Sequence, residues 1–153
     1  MKNLISDNAS VLIIGNEILS GRTIDKNFNH IASKLNEHGI SISESRIISD
    51  NEQEIINAIN ELRNKYKYVF TTGGIGPTHD DVTAESVSKA FKVKLEINKE
   101  AYKVLEDYYI ELGSEFNDVR QRMARIPAGA SLIKNDISAA PGFNIENVYV
   151  FAG

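Results

Sequence analysis

Residues 11–14, Val-Leu-Ile-Ile, are an unbroken apolar run that Gly15 ends. The run lacks the polar alternation of a half-exposed strand, so it fits a strand buried on both faces, the situation of parallel sheets covered by helices. The pattern then repeats along the chain. Phe28, Ile31, Ala32 and Leu35 recur at helical spacing over 25–38, with Asp25 as N-cap and Gly39 as stop. A second strand spans 40–48. A helix opens at Asp50 or Asn51, with Glu54 placed as a capping-box partner, and buries Ile55, Ile56, Ile59 and Leu62. A third strand spans 68–71, and a helix over 81–91 turns Val82, Val87, Ala90 and Phe91 inward. Strands alternating with helical patterns predict an α/β fold with a mostly parallel sheet.

The second half is less regular. Asn98 caps a helix carrying Val104, Leu105, Tyr108, Tyr109 and Leu112, and Gly113 stops it; Tyr108 and Tyr109 read as core or a subunit contact. A helix over 118–125 would put Arg122 and Arg125 on one face, as a solvated surface or an anion clamp. Turns fall at Pro127-Ala-Gly129 and Pro141-Gly142, with a short strand at 132–133 and a last buried strand at 148–151. The 153 residues suit one domain spanning 1–153, and the stop at Gly153 directly after a strand suggests the N-terminal part of a longer protein.

Composition removes whole classes of chemistry. There is no cysteine, which excludes disulfides, thiolate metal sites and thiol nucleophiles. The formal charge of −4 argues against a nucleic-acid partner, which would need a basic footprint. No apolar stretch approaches the ~20 residues of a membrane span, and no signal core opens the chain. A cytoplasmic protein with no membrane partner is the expectation.

In an open parallel sheet, ligands bind outside the carboxyl ends of the strands. Four segments follow such ends: Gly15-Asn16-Glu17-Ile18-Leu19-Ser20-Gly21, Ser49-Asp50-Asn51, the run TTGGIGPTHDDVT at 71–83, and Ala152-Gly153. In the third, Gly73, Gly74 and Gly76 let backbone N–H groups approach an anion, and Thr71, Thr72 and Thr78 add hydroxyls. It is neither a P-loop nor the dinucleotide fingerprint, since both spacings are missing. Asp80 and Asp81 beside a phosphate would repel it unless a cation lies between them, which suggests a hard divalent ion. The alternative is local: Asp80 and Asp81 are also what the first turn of a helix favours, and Thr78 to Asp81 fits a capping-box variant. Asp50 reads as a cap as well. Glu17, directly after a buried strand, gains nothing structural and reads as functional. His30, His38 and His79 show no metal-ligand spacing.

The segments VLIIGNEILSGRTIDKN, TTGGIGPTHDDVT and RMARIPAGA…APGFNIENVYVFAG together resemble the molybdopterin-binding domain family. The resemblance runs from about Val11 to Gly153. The Gly-Asn-Glu-Ile-Leu-Ser-Gly opening and Ala-Pro-Gly-Phe favour its CinA-like branch over the MoaB- and MogA-like branch. It implies a three-layer α/β/α sandwich, usually in a homo-oligomer, a dimer or trimer. It implies a small-molecule nucleotide or pterin ligand, with family acids matching Asp81 and Asp50. In the CinA-like branch it implies metal-dependent pyrophosphatase activity on ADP-ribose-type dinucleotides. Mg²⁺, Mn²⁺ or Co²⁺ would sit on Asp80 and Asp81, and Gly15, Asn16, Thr72, Gly73, Gly74, Gly76 and Thr78 would hold the ligand. Asp81, Asp50 and Glu17 would carry the chemistry. The alternative it implies is a molybdopterin-binding domain of molybdenum cofactor synthesis without hydrolysis. Ser138-Ala139 departs from the family's frequent Gly-Thr before Ala-Pro-Gly-Phe.

Overall fold

Strand β1 (Asn8–Ile14) is buried almost throughout, as its unalternating sequence requires, and it occupies the interior of a six-stranded sheet. The structure, a computed structural model, describes residues 7–153. The sheet order is β2-β1-β3-β8-β7-β6, built from β2 (Ser41–Ile48), β3 (Tyr68–Thr72), β6 (Ser131–Ile133), β7 (Gly142–Ile145) and β8 (Val148–Phe151). The β1–β2, β1–β3 and β3–β8 ladders are parallel, whereas β6, β7 and β8 pair antiparallel. The fold is therefore α/β with a mostly parallel sheet and helices packed on it, as the alternating pattern predicts.

The helices form where local signals agree with burial. In α3 (Glu52–Lys65) the Asn51 side chain accepts the Glu54 N–H at 3.0 Å, and Ile55, Ile59 and Leu62 are fully buried. Asn98 caps α5 (Lys99–Glu111) in the same way through Ala101 N–H. In α2 (Asn27–Glu37) the Asp25 carboxylate accepts from Asn27 and Phe28, and Leu35 is the buried residue of a face whose other apolar members are half-buried. The main core lies between the sheet and α3, α4 (Thr83–Phe91) and α5, around Leu12, Ile14, Val69, Val87, Leu105 and Phe143. On that face Glu44 and Arg46 of β2 reach α3. The Tyr66 hydroxyl donates to Glu44 at 2.5 Å, and with the Arg46 guanidinium it holds the Glu44 carboxyl down at about 2.

Several expected boundaries move. The expected helix over 118–125 is instead α6 (Asp118–Gln121), a 3-10 turn at Arg122–Ala124 and strand β5 (Arg125–Pro127), which pairs with β4 (Leu95–Ile97). Pro127 disfavours helical backbone in the residue before it, so the chain extends there. Arg122 and Arg125 thus share no helix face. Gly142, expected in a turn, opens β7, where Val150 backbone leaves no room for a side chain. The 81–91 helix starts at Thr83, so Asp80 and Asp81 precede it. Just past α5, Leu112 is exposed rather than core, and Val104 within the helix is exposed too.

Candidate functional site

The chain leaves β1 to form β2 on one side of it, then returns to place β3 on the other. The sheet therefore has a switch point between β1 and β3, and the crevice at their carboxyl ends is where ligands bind in such sheets. Ile14-Gly15 and Thr72-Gly73 stand at that point.

The end of β1 is tied to β2. Gly15 N–H donates to the Ile48 carbonyl at 3.0 Å, and a short helix α1 (Asn16–Leu19) follows. Asn16 and Asp50 bind each other reciprocally: Asn16 N–H donates to Asp50 Oδ2 at 3.2 Å, and Asp50 N–H donates to Asn16 Oδ1 at 3.3 Å. Burial pushes the Asp50 carboxyl up; the Asn16 N–H pulls it down, and the charges of Glu17, Asp81 and Asp80 push it up further. The Glu17 carboxylate lies back over Gly15, where an added Cβ would meet Oε1 at 2.6 Å.

The glycine loop after β3 is shaped by its own path. Gly73 and Gly74 both take left-handed backbone, at φ +94° and +74°. A Cβ at Gly73 would strike the Ile14 carbonyl oxygen, and one at Gly74 would strike Thr83 Oγ1. Thr83 is fully buried. Its hydroxyl donates to Gly73 O at 3.0 Å and its N–H to Gly74 O at 3.0 Å. The loop is pinned between β1 and α4, so Gly74→Val would disturb the fold as well as any ligand. Sequence reasoning assigned Thr83 no role; its place two residues beyond paired aspartates carries no signal that it turns inward.

Asp81 closes this loop. Its Oδ2 accepts the Thr78 N–H at 2.9 Å and the Thr78 hydroxyl at 2.8 Å. Asp80 stands 73% exposed, with Oδ1 3.3 Å from His79 Nε2. The two aspartates thus have separate partners. Among the described residues no three His, Asp or Glu side chains are grouped so as to hold a metal ion. The protein alone supplies no ready-made cation site on Asp80 and Asp81; a divalent ion there would take its remaining ligands from the oxygens of a bound phosphate.

Between the loop and α5 lies a cleft of about 470 Å³, within the range of small-molecule sites. Glu17, Gly73, Gly74, Gly76 and Asp81 line one side. Ser138, Ala140, Ala152 and Gly153 bound it near the loop, and Tyr108, Tyr109 and Leu112 form the facing wall. The structure thus gathers Glu17, three glycines and Asp81 into one cavity. Gly15, Asn16 and Asp50 cluster at the neighbouring strand ends, Thr72 is buried, and Asp80 faces solvent. The α5 wall was missed as a site because helical periodicity cannot distinguish a face turned to a core from one turned to a cleft. A smaller recess of about 20 Å³ adjoins the loop, lined in part by Arg122, Arg125 and Glu85; Arg125 pairs with Glu85 at 2.9 Å. Among the described residues no helix is long and apolar enough to cross a membrane.

Residues 10–152 match the family model described as a probable molybdopterin binding domain. A protein of Sulfurisphaera tokodaii is 40% identical over 138 residues, which are 90% of this chain and 52% of that protein. A protein of Caldivirga maquilingensis is 39% identical over 138 residues, covering 90% of this chain and 54% of its own length. The chain spans about half the length of these curated relatives. Among solved structures, the crystal structure of the protein CinA with unknown function from Thermoplasma acidophilum superposes with a TM-score of 0.88 at 32% identity, over 97% of this chain and 89% of that one. The tungsten cofactor synthesizing protein MoaB from Pyrococcus furiosus superposes at 0.59 with 22% identity, over 97% and 83%, a likeness of fold.

Proposed function

Because the chain belongs to the molybdopterin-binding domain family, we propose that it binds a small phosphorylated pterin or nucleotide, with the phosphate against the loop of residues 73–78. The observation that carries this reading is the cleft at the switch point. It opens on the glycine loop and has the volume of a small-molecule site. The family description favours a pterin as the ligand.

Binding of this kind raises the melting temperature by mass action. At a free ligand concentration 100 times Kd the gain is about 2.7 kcal/mol. For a chain of this length that shifts the midpoint by roughly 5–10 °C. Thermal melts with inorganic pyrophosphate and with a pterin phosphate, each with and without Mg²⁺, are the test. Ser138→Phe, which crowds the exposed rim of the cleft, should blunt the shift. No shift with any phosphate ligand would end the reading, and an unchanged shift in Ser138→Phe would move the site elsewhere.

Hydrolysis of ADP-ribose-type dinucleotides is the second reading. One observation favours it: Asp50, at the strand ends beside the cleft, carries a carboxyl pushed upward by burial and by neighbouring acids, a property suited to a general base. In its ionised form it would take the proton from an attacking water. Incubation with ADP-ribose and each of Mg²⁺, Mn²⁺ and Co²⁺ should then release AMP and ribose 5-phosphate. Binding without either product would leave the chain a ligand-binding domain.

A further inference from the structure

The cleft has two chemically different walls. One is the backbone of the glycine loop with Glu17 and Asp81; the other is Tyr108 and Tyr109 of α5 with Leu112 just past its end. A phosphate needs only the first. Pyrophosphate alone would fill a fraction of about 470 Å³ and leave the second wall wet.

Aromatic contacts brace that second wall. Tyr102 meets Phe116 edge-on at 5.0 Å, and Phe116 stacks on Tyr109 at 5.7 Å with the planes 13° apart. The Arg120 guanidinium lies 4.4 Å from the Tyr109 ring centre, and its NH1 donates to the Glu115 carbonyl. Tyr109 then meets Tyr108 at 5.3 Å and 81°. Tyr109 is thereby engaged by Phe116 and Arg120, whereas Tyr108 has Tyr109 as its one aromatic neighbour among the described residues. The row ends in a half-buried ring at the cleft, held in place before any ligand arrives. Preorganisation of this kind reduces the ordering cost of binding.

We propose that Tyr108 is the platform on which the ligand's planar heteroaromatic ring stacks, with Tyr109 beside it in the wall holding its edge. This rests on the phosphate-binding reading above and adds which surface of the cleft takes the ligand's flat ring, pterin or purine. Stacking on a side-chain ring is sequence-tolerant chemistry open to any π-face.

The experiment is calorimetric titration of the whole chain with three probes: pyrophosphate, AMP and 6-hydroxymethylpterin phosphate. The ring-bearing probe whose heterocycle matches the site should bind more tightly than pyrophosphate. Tyr108→Leu, which keeps bulk and removes the ring, should weaken that probe about tenfold, in line with the loss of one base-stacking contact. It should leave pyrophosphate affinity unchanged. Tyr108→Phe should keep both. The AMP and pterin arms tell purine from pterin. Pyrophosphate binding with no advantage for either ring overturns the platform and leaves the phosphate reading standing. Equal loss for pyrophosphate and ring probes in Tyr108→Leu also overturns it. Failure of all three probes in wild type removes both.

Discussion

Asp50 sits among like charges, and that has a measurable cost. Its carboxyl is pushed above the ordinary value by burial first, then by Glu17, Asp81 and Asp80, while the Asn16 N–H opposes them. Between the unfolded and folded values the native state holds the extra proton, so stability falls as pH rises through that window. At neutral pH the ionised carboxylate therefore works against the fold. Asp50→Asn retains an oxygen for the Asn16 N–H and removes the charge. It should melt higher than wild type near neutral pH, and the advantage should vanish below the ordinary carboxylate range, about pH 4. An advantage that persists unchanged in acid would trace the effect to hydrogen bonding. Asp81 differs in kind, because its carboxylate accepts two hydrogen bonds that shape its own loop.

The loop after β3 and the turn at Gly129 both use left-handed glycines, yet they should respond differently to a methyl group. At Gly129, φ is +84° and a Cβ would meet nothing within 4 Å. Gly129→Ala then costs the left-handed backbone alone, ~1–2 kcal/mol, which lowers the melting temperature by about 2–8 °C. At Gly73 the same methyl strikes the Ile14 carbonyl, whose residue is paired with Ile48 in the sheet. Gly73→Ala should cost more than about 4 kcal/mol, in the range of exceptional substitutions. Equal losses in the two variants would mean that β1 gives way. The elements readable from sequence were those with their own signals: β1 by its unalternating run, α3 and α5 by Asn51 and Asn98 capping them. Strands β4 and β5, three residues each, exist through pairing with each other, which no local pattern announces. Helix α1 lacks a side-chain cap and is four residues long, so it was invisible. In the site, the glycine loop and Glu17 were legible because strand ends attract unusual residues. The inward turn of Thr83 and the aromatic wall depend on packing.

The main core ties distant parts of the chain together, since Leu12 of β1, Leu105 of α5 and Phe143 of β7 belong to the same buried cluster. Phe143 is 1% exposed. Phe143→Ala should therefore cost about 3–5 kcal/mol and lower the midpoint by roughly 6–20 °C. The melt should remain a single transition; separate melting of β6–β8 would divide the core. The β3–β8 ladder carries a further consequence. It joins Val69–Thr72 to Val148–Phe151, so the two lips of the cleft, Gly73 and Ala152, meet only after the helices and strands between them have been made. Such non-local pairing is slow to form. A ligand spanning the lips has nothing to grip until that pairing exists. It acts as a latch: it delays the opening of the finished protein and leaves the pace of its assembly untouched.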